Sequence, residues 1–351
     1  MTRRGRHMVR MLVWLAALTC GACNKQEKGI DLSALHFRIE SPYGTHYITD
    51  FPVPFRAIDD KGNDITPSVR FWVDGRPVDS AVYVFSQPGN YAVTALWDLG
   101  GGLTKAADDT LHASVIAPRH TSHVLIEDFT GTWCVNCPRV IYHLEEVLRQ
   151  TDRVVPVSIH NRGYNEDPFH FDGVDTLARA YGIQAYPTPL MERRQVWDER
   201  MESIREALNR PRPLGLRMHS SLAGDRLDLQ VDVRFDMDMP EDSLRLVVYA
   251  LENGLRADQA NATDYYGGEN PLRNFEHNHV LRHAFTSVLG RPVPARLQHY
   301  DSIYRWHYQG PLPAAIHDPA RTEFVAFVIK GGRKGRVVNS QKTKVNETSN
   351  Y

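Results

Sequence analysis

Two cysteines separated by two residues, Cys134 and Cys137, are the residues of this chain whose types and spacing most directly indicate chemistry. When such a pair opens a helix, unpaired backbone N–H groups and the helix dipole favour the thiolate form of the first cysteine. The second cysteine then lies where it can attack the first sulfur and release a mixed disulfide. This spacing is typical of thiol–disulfide exchange, with Cys134 as nucleophile and Cys137 as resolving thiol.

Other uses of the pair need partners that the sequence does not obviously supply. A zinc or iron–sulfur site needs further cysteine or histidine ligands, and there is no second C-x-x-C. Covalent haem attachment needs a histidine directly after the second cysteine, where this chain has Pro138. An inert disulfide stays open as an interpretation, although closing so short a loop contributes little stability. We therefore expect no metal and no cofactor.

Three histidines and two charged runs are weighed as further candidates. His277 and His279 could begin a metal site, but no third ligand is evident, so we expect structural or solvated roles. His160 ends a predicted strand near the cysteines, and we interpret it as packing. The charges of Arg193-Arg194 and of residues 330–336 are interpreted as solvated faces.

The first 23 residues have the features of an export signal: a basic start and a short apolar stretch from Met11 to Leu18. The segment Gly21-Ala22-Cys23 resembles the lipobox of bacterial lipoproteins, although Cys20 stands where leucine is usual. This resemblance implies lipidation of Cys23 and attachment to a membrane through a lipid anchor. Plain secretion is the alternative. Lipoprotein cleavage would leave Cys134 and Cys137 as the free thiols of the mature chain.

Composition places the chain among soluble globular proteins. Of its 351 residues, 42% are hydrophobic and 24% are charged, and the formal net charge is -1. The near-zero charge and the lack of a basic patch argue against nucleic acid as a partner. The length predicts two or three domains.

Hydrophobic periodicity divides the chain after a polar linker at residues 24–32. Residues 33–117 show the alternation of short strands and predict an immunoglobulin-like β-sandwich. Residues 118–212 predict a strand, a helix and a parallel strand, followed by a helix that ends at Gly182 and a last helix. Residues 213–345 return to alternating strands and predict a second β-sandwich, and residues 346–351 form a polar tail.

The segment VLIEDFTGTWCVNCP at residues 124–138, together with GIQAYPT at residues 182–188, resembles the thioredoxin superfamily. The resemblance implies that Asp128 relays a proton to the resolving thiol, with Glu127 as a substitute. It also implies that Pro187 is a cis proline. Tyr186 and Pro187 would then present backbone to a substrate strand, and Trp133 would shield the pair or pack beside it.

The order of segments, with EDFTGTWCVNCP, DPF and HNHVLR, looks like the twenty-eight-kilodalton outer-membrane protein related family of envelope lipoproteins. Together the patterns predict an α/β thioredoxin-like domain flanked by two all-β domains. They predict an exported, outer-membrane-anchored thiol:disulfide oxidoreductase that acts on protein thiols or disulfides in the envelope. The alternative is a non-catalytic surface lipoprotein that serves as a binding or scaffold module with a structural disulfide.

Overall fold

The computed structural model describes residues 31–163, 166–240 and 242–351. The predicted signal segment and the predicted lipidation site at Cys23 lie outside these residues. The chain divides into two compact units, Met1–Leu35 and His36–Tyr351. The described part of the first unit is a short 3-10 turn, Leu32–Ala34, whose preceding residue Asp31 accepts a hydrogen bond from the backbone N–H of Ser33.

The second unit begins with ten short strands. These are β1 (Phe37–Glu40), β2 (His46–Ile48), β3 (Pro52–Pro54), β4 (Arg56–Asp59), β5 (Val69–Val73), β6 (Arg76–Val78), β7 (Val82–Val84), β8 (Gly89–Gly100), β9 (Leu103–Ala106) and β10 (Leu111–Ile116). The predicted turn Asp74-Gly75 joins β5 to β6 in an antiparallel hairpin, with both turn residues at positive φ.

The middle of the chain alternates strands and helices. Its elements are β11 (Val124–Thr130), α1 (Cys137–Leu148), β12 (Val154–His160), α2 (Val174–Tyr181), β13 (Thr188–Met191), β14 (Gln195–Val196) and α3 (Met201–Leu208). β11 and β12 are parallel, as the predicted strand–helix–strand unit requires. Helix α2 ends at Gly182, which has a φ of 71° and caps the helix in the left-handed region.

The last part is again made of strands. They are β15 (Leu214–Ala223), β16 (Arg226–Phe235), β17 (Arg245–Glu252), β18 (Leu255–Gln259), β19 (Leu272–His277), β20 (Val280–Ala284), β21 (Arg291–Pro292), β22 (Ile303–Pro311), β23 (Thr322–Lys330) and β24 (Arg336–Lys344). The three longest alternating segments of this region, β15, β16 and β22, form an antiparallel sheet.

One mixed sheet of nine strands runs through the middle and last parts of the chain. Its order is β14-β13-β11-β12-β20-β17-β23-β24, with β21 paired to β17. Strands of the middle and last parts meet where Ser158 of β12 pairs with Val280 of β20, and the N–H of Ser158 donates to the carbonyl of His279. The N-terminal strands form a six-stranded sheet and two strand pairs.

The central strands of the nine-stranded sheet are buried on both faces. Along β17, Leu246 and Val248 pack into a core shared with the N-terminal strands and with β15 and β16. The alternate residues, Val247 and Tyr249, pack into a second core with β12 and α2. A third core lies between β11 and helices α1 and α3. Double-sided burial explains why these strands are continuous apolar runs in the sequence.

The predicted fold class is wrong. Strands account for 45% of the structure and helices for 14%, so the protein is predominantly β. The middle segment does not close into an α/β domain of its own, because β12 continues through β20 into the strands of the last part. Local periodicity predicted the elements but could not show that strands so far apart in the chain share one sheet. The boundaries at residues 117 and 212 stay predictions.

Candidate functional site

Cys134 and Cys137 form a disulfide at the point where β11 leads into α1. Their Cα atoms are 5.4 Å apart, which is normal for a disulfide. Cys137 is the first residue of α1 and Pro138 is the second, so the pair lies at the helix N-terminus as predicted. The exposed fraction is 4% for Cys134 and 0% for Cys137. Both cysteines are therefore buried, and the neighbouring Val135 is exposed.

Trp133 and Tyr186 lie against each other, with ring centroids 5.5 Å apart. The indole Nε1 donates to the carbonyl of Asn161, and the Asn161 amide donates to the Tyr186 hydroxyl. The Tyr186–Pro187 peptide bond is cis, as predicted. The predicted roles of these three residues toward a substrate stay predictions.

Two glycines make room for the indole of Trp133. A Cβ atom at Gly131 would lie 2.5 Å from the indole Nε1, and a Cβ at Gly163 would lie 2.3 Å from it. Gly163 also has a φ of 63°. Any larger residue at either position would displace the indole. Nothing in the sequence pattern predicted this requirement.

Asp128 is buried at 1% exposure, and its Oδ1 atom has no hydrogen-bond partner within the described part of the chain. Burial, reinforced by the negative charge of Glu199 and opposed by Arg139, raises the pKa of Asp128 to about 7. The carboxyl group can therefore gain or lose a proton near neutral pH, which suits a proton relay.

The neighbouring Glu127 lies in a different environment. Successive strand residues point to opposite faces, and Glu127 forms a buried bidentate ion pair with Arg193, with both N···O distances at 2.7 Å. The use of Glu127 as a substitute for Asp128 in the relay stays a prediction. The expectation that Arg193 is solvated is wrong, because this side chain is fully buried.

A small cavity of about 60 Å³ lies beside Asp128, between β11, β12, α1 and the segment 276–279. Two further buried atoms on residues that line it lack partners within the described residues, Thr130 Oγ1 and His277 Nε2. A cavity of about this size has room for one water molecule.

The loop that carries the cysteines is held in place by Asp167. One carboxylate oxygen accepts from the backbone N–H of Thr132 at 2.7 Å, and both oxygens lie within 3.2 Å of His160 Nδ1. Burial opposes ionisation of Asp167, but His160 and the N–H groups of Thr132 and Phe169 outweigh it and lower the pKa. The DPF segment signalled this residue in the sequence, but its contact with His160 was not predicted.

The segment 259–262 holds the same loop from another side. The N–H of Ala260 donates to Thr132 and the N–H of Ala262 donates to Val135, both at 2.8 Å. The amide of Gln259 donates to the carbonyl of Cys134 at 3.0 Å. These three hydrogen bonds restrain the cysteine loop.

Replacing Asp167 with asparagine is expected to lower the free energy of unfolding by about 2 kcal/mol at pH 7, because buried charged hydrogen bonds to Thr132 and His160 are lost. Since the folded-state pKa is lowered, this contribution is present above the unfolded pKa and disappears as pH falls through the folded pKa. Urea unfolding at several pH values measures it. The matched control is Asp172→Asn, whose side chain is fully exposed. Equal effects of the two variants would contradict the assignment.

The other two histidines have ordinary partners. His277 is buried against His160 and Phe169, and burial together with the charge of His160 lowers its pKa to about 3. His279 Nδ1 lies 3.2 Å from Glu323. Across residues 31–163, 166–240 and 242–351, no group of three potential ligands is placed to hold a metal ion. In the same ranges, no helix is both long and apolar enough to cross a bilayer.

Comparisons with known proteins give one family and one similar fold. The family model described as outer membrane protein Omp28 matches residues 174–349. The solved structure of HBP35 of Porphyromonas gingivalis is 17% identical, with a TM-score of 0.53 over 66% of this chain and 77% of that chain. At that identity the match shows the fold alone. No curated protein matches.

Two other solved structures match at a TM-score of 0.20 and 10% identity, which is too low to support an argument. They are a DUF3823 family protein from Bacteroides ovatus, over 89% of this chain and 98% of that chain, and a putative membrane anchored protein from Corynebacterium diphtheriae, over 89% and 58%. Neither the family model nor any of these three solved structures is named as a thioredoxin-like protein or an oxidoreductase.

Proposed function

The chain belongs to the outer membrane protein Omp28 family, and from that premise we propose that it is an envelope protein whose Cys134–Cys137 disulfide exchanges with protein thiols. Family membership supports the outer-membrane location. The exchange reaction is the finer proposal. It rests on the geometry of the cysteine loop.

The observation that carries the proposal is the unpartnered, buried Asp128 on the strand that leads into the cysteine loop. A buried carboxyl group without a hydrogen bond is costly, so a purely structural role does not account for it. With a pKa of about 7, this group can exchange a proton with a thiol near neutral pH. Helix α1 starts at Cys137, and its N-terminal dipole favours thiolates in the same loop.

The reaction would begin when a partner thiolate attacks the Cys134 sulfur. The Cys134–Cys137 bond breaks, a mixed disulfide forms, and Cys137 leaves as a thiolate that takes the proton of Asp128. A second partner thiolate then attacks the partner sulfur of the mixed disulfide and releases Cys134. The partner dithiol is oxidised to a disulfide by two electrons, and the Cys134–Cys137 pair is reduced by two. The reverse sequence reduces a partner.

The test is the reduction potential of the pair in a fragment of residues 30–351, equilibrated against dithiol buffers. We expect a value between about -120 and -270 mV, the range of working redox proteins. We also expect Cys137→Ser to trap mixed disulfides through Cys134 in cells, whereas the double Cys134→Ser, Cys137→Ser variant traps none. A potential below about -300 mV, together with an empty trap, contradicts the proposal.

A second candidate is a binding or scaffold protein of the outer membrane with a structural disulfide. The comparisons favour it, because their descriptions give an outer membrane protein and no oxidoreductase. The clamp of residues 259–262 on the cysteine loop also suits a structural bond. Thiol alkylation in whole cells separates the candidates. An exchanging pair is found partly reduced, and a structural pair is found fully oxidised.

Attachment to the membrane through lipidated Cys23 is a further part of the proposal. The support is the lipobox-like sequence together with membership in an outer-membrane family. Metabolic labelling with a fatty-acid analogue tests it. Label that persists in Cys23→Ala at the level of the unaltered protein would contradict the assignment.

A further inference from the structure

A groove of about 620 Å³ lies away from the cysteine loop, and no residue of the disulfide site lines it. Its walls come from the N-terminal segment 50–52 with Tyr43, from the turn after β13, from residues 210–213 and from the ends of β23 and β24. The volume is within the range of small-molecule binding sites, about 300–1,000 Å³.

One side of the groove is apolar and aromatic. Tyr43 and Phe51 pack edge to face, with ring centroids 5.7 Å apart, and both are half-buried. Met239 and Val337 also line the groove and are buried. A wall of this kind contacts an apolar or aromatic body.

Five cationic side chains also line the groove. Three of them have acidic partners: Arg210 and Arg212 form ion pairs with Glu192, and Lys330 forms one with Asp242. Lys330 also donates to the Tyr43 hydroxyl and lies over the Tyr43 ring. The remaining two are Arg194 and Arg336. Of the described residues that line the groove, Asp50 is the one acid.

Arg194 and Arg336 are exposed on the groove, and their guanidinium groups form no hydrogen bond or ion pair within the described residues. Burial and the positive charge of Arg210 lower the pKa of Arg194. The charge of Arg336 lowers this pKa further, and the charge of Glu192 raises it. These cations therefore repel one another across the groove. A bound anion would relieve the repulsion.

The turn that presents Arg194 has an unusual backbone. Its first two residues, Glu192 and Arg193, adopt left-handed conformations with φ of 54° and 53°. Such conformations are unfavourable for residues with a side chain. Glu192 and Arg193 each form a buried ion pair, and these pairs hold the turn in place. The same ion pairs therefore fix the position of Arg194 at the groove.

We propose that this groove binds an oxyanion, a carboxylate or a phosphate, carried on an apolar or aromatic body. Arg194 and Arg336 bind the anion, because guanidinium groups match both oxyanions in bidentate geometry. Tyr43, Phe51 and Met239 contact the body of the ligand. The site is independent of the disulfide, since no residue of the cysteine loop lines the groove.

Isothermal titration of the fragment 30–351 with three probes tests the proposal: naphthoate, naphthyl phosphate and the neutral naphthamide. We expect at least one anion to bind one-to-one and the amide to bind at least about tenfold more weakly, as charge-assisted hydrogen bonds require. The tighter anion identifies the oxyanion. If the amide binds as tightly as both anions, the proposal is overturned.

Substitutions in the groove test which residues bind the anion. Arg194→Gln and Arg336→Gln are each expected to weaken the affinity for the anion at least about fivefold. Asp50→Asn is expected to tighten it, because the acid of the groove is removed while asparagine tolerates the φ of 60° at that position. The control is Arg70→Gln, an exposed arginine on β5 outside the groove. Unchanged affinity in both groove variants, or an equal loss in the control, overturns the proposal.

Discussion

Replacing Arg193 with methionine is expected to lower the free energy of unfolding by about 3–5 kcal/mol, because Glu127 would be left as a buried charge without its partner. Both side chains are fully buried. Although burial opposes its charge, Glu127 raises the pKa of Arg193. The guanidinium also donates to the hydroxyls of Tyr249 and Tyr181 and to the carbonyl of Val288, so one substitution breaks five hydrogen bonds. Urea unfolding at pH 7 measures the loss.

The double variant Glu127→Leu, Arg193→Met separates the effect of leaving Glu127 without its ion-pair partner from the effect of lost packing. A well-packed apolar pair often replaces a buried ion pair at little cost, so we expect the double variant to be more stable than Arg193→Met alone. The surface control is Arg205→Met, which breaks an exposed pair with Glu202 and is expected to change stability by less than about 1 kcal/mol. A loss in Arg193→Met no larger than in this control would contradict the prediction.

Replacing Asp128 with asparagine is expected to stabilise the protein at pH 8, by between about 1 and 4 kcal/mol. The upper figure follows from a folded pKa of about 7 against an unfolded value of about 4, at 1.36 kcal/mol for each pKa unit. Because the folded state holds the proton more tightly, the Asp128 carboxyl group does not destabilise the protein below about pH 4, and it destabilises the protein most above about pH 7. The gain in Asp128→Asn should therefore vanish as the pH falls.

The same variant is expected to lose function while it gains stability. Without a group that exchanges protons near neutral pH, reduction of the disulfide by a dithiol should slow by about 10²-fold, the usual contribution of a general acid or base. The control is Asp79→Asn, an exposed aspartate directly after β6. A variant that is more stable but exchanges at the normal rate would show that Asp128 does not serve the cysteines, while the stability prediction would still stand.

The sequence by itself determined the local structure of this protein. Apolar runs predicted the three helices and the parallel strands on either side of α1, and Gly182 marked the end of α2. The spacing of Cys134 and Cys137 predicted their disulfide at a helix start, and the resemblance at residues 182–188 predicted the cis bond before Pro187. All of these features arise between residues close together in the chain, where residue type and period carry the information.

The tertiary structure alone decided which charges are buried and which strands share a sheet. Arg193 and Arg194 are neighbours and look alike in the sequence, yet the first lies against Glu127, 66 positions away, and the second faces a groove. The joining of β12 to β20 turned a predicted α/β domain into part of one long sheet. Such contacts depend on packing between distant segments, and the burial that determines a side chain's charge and pKa follows from that packing.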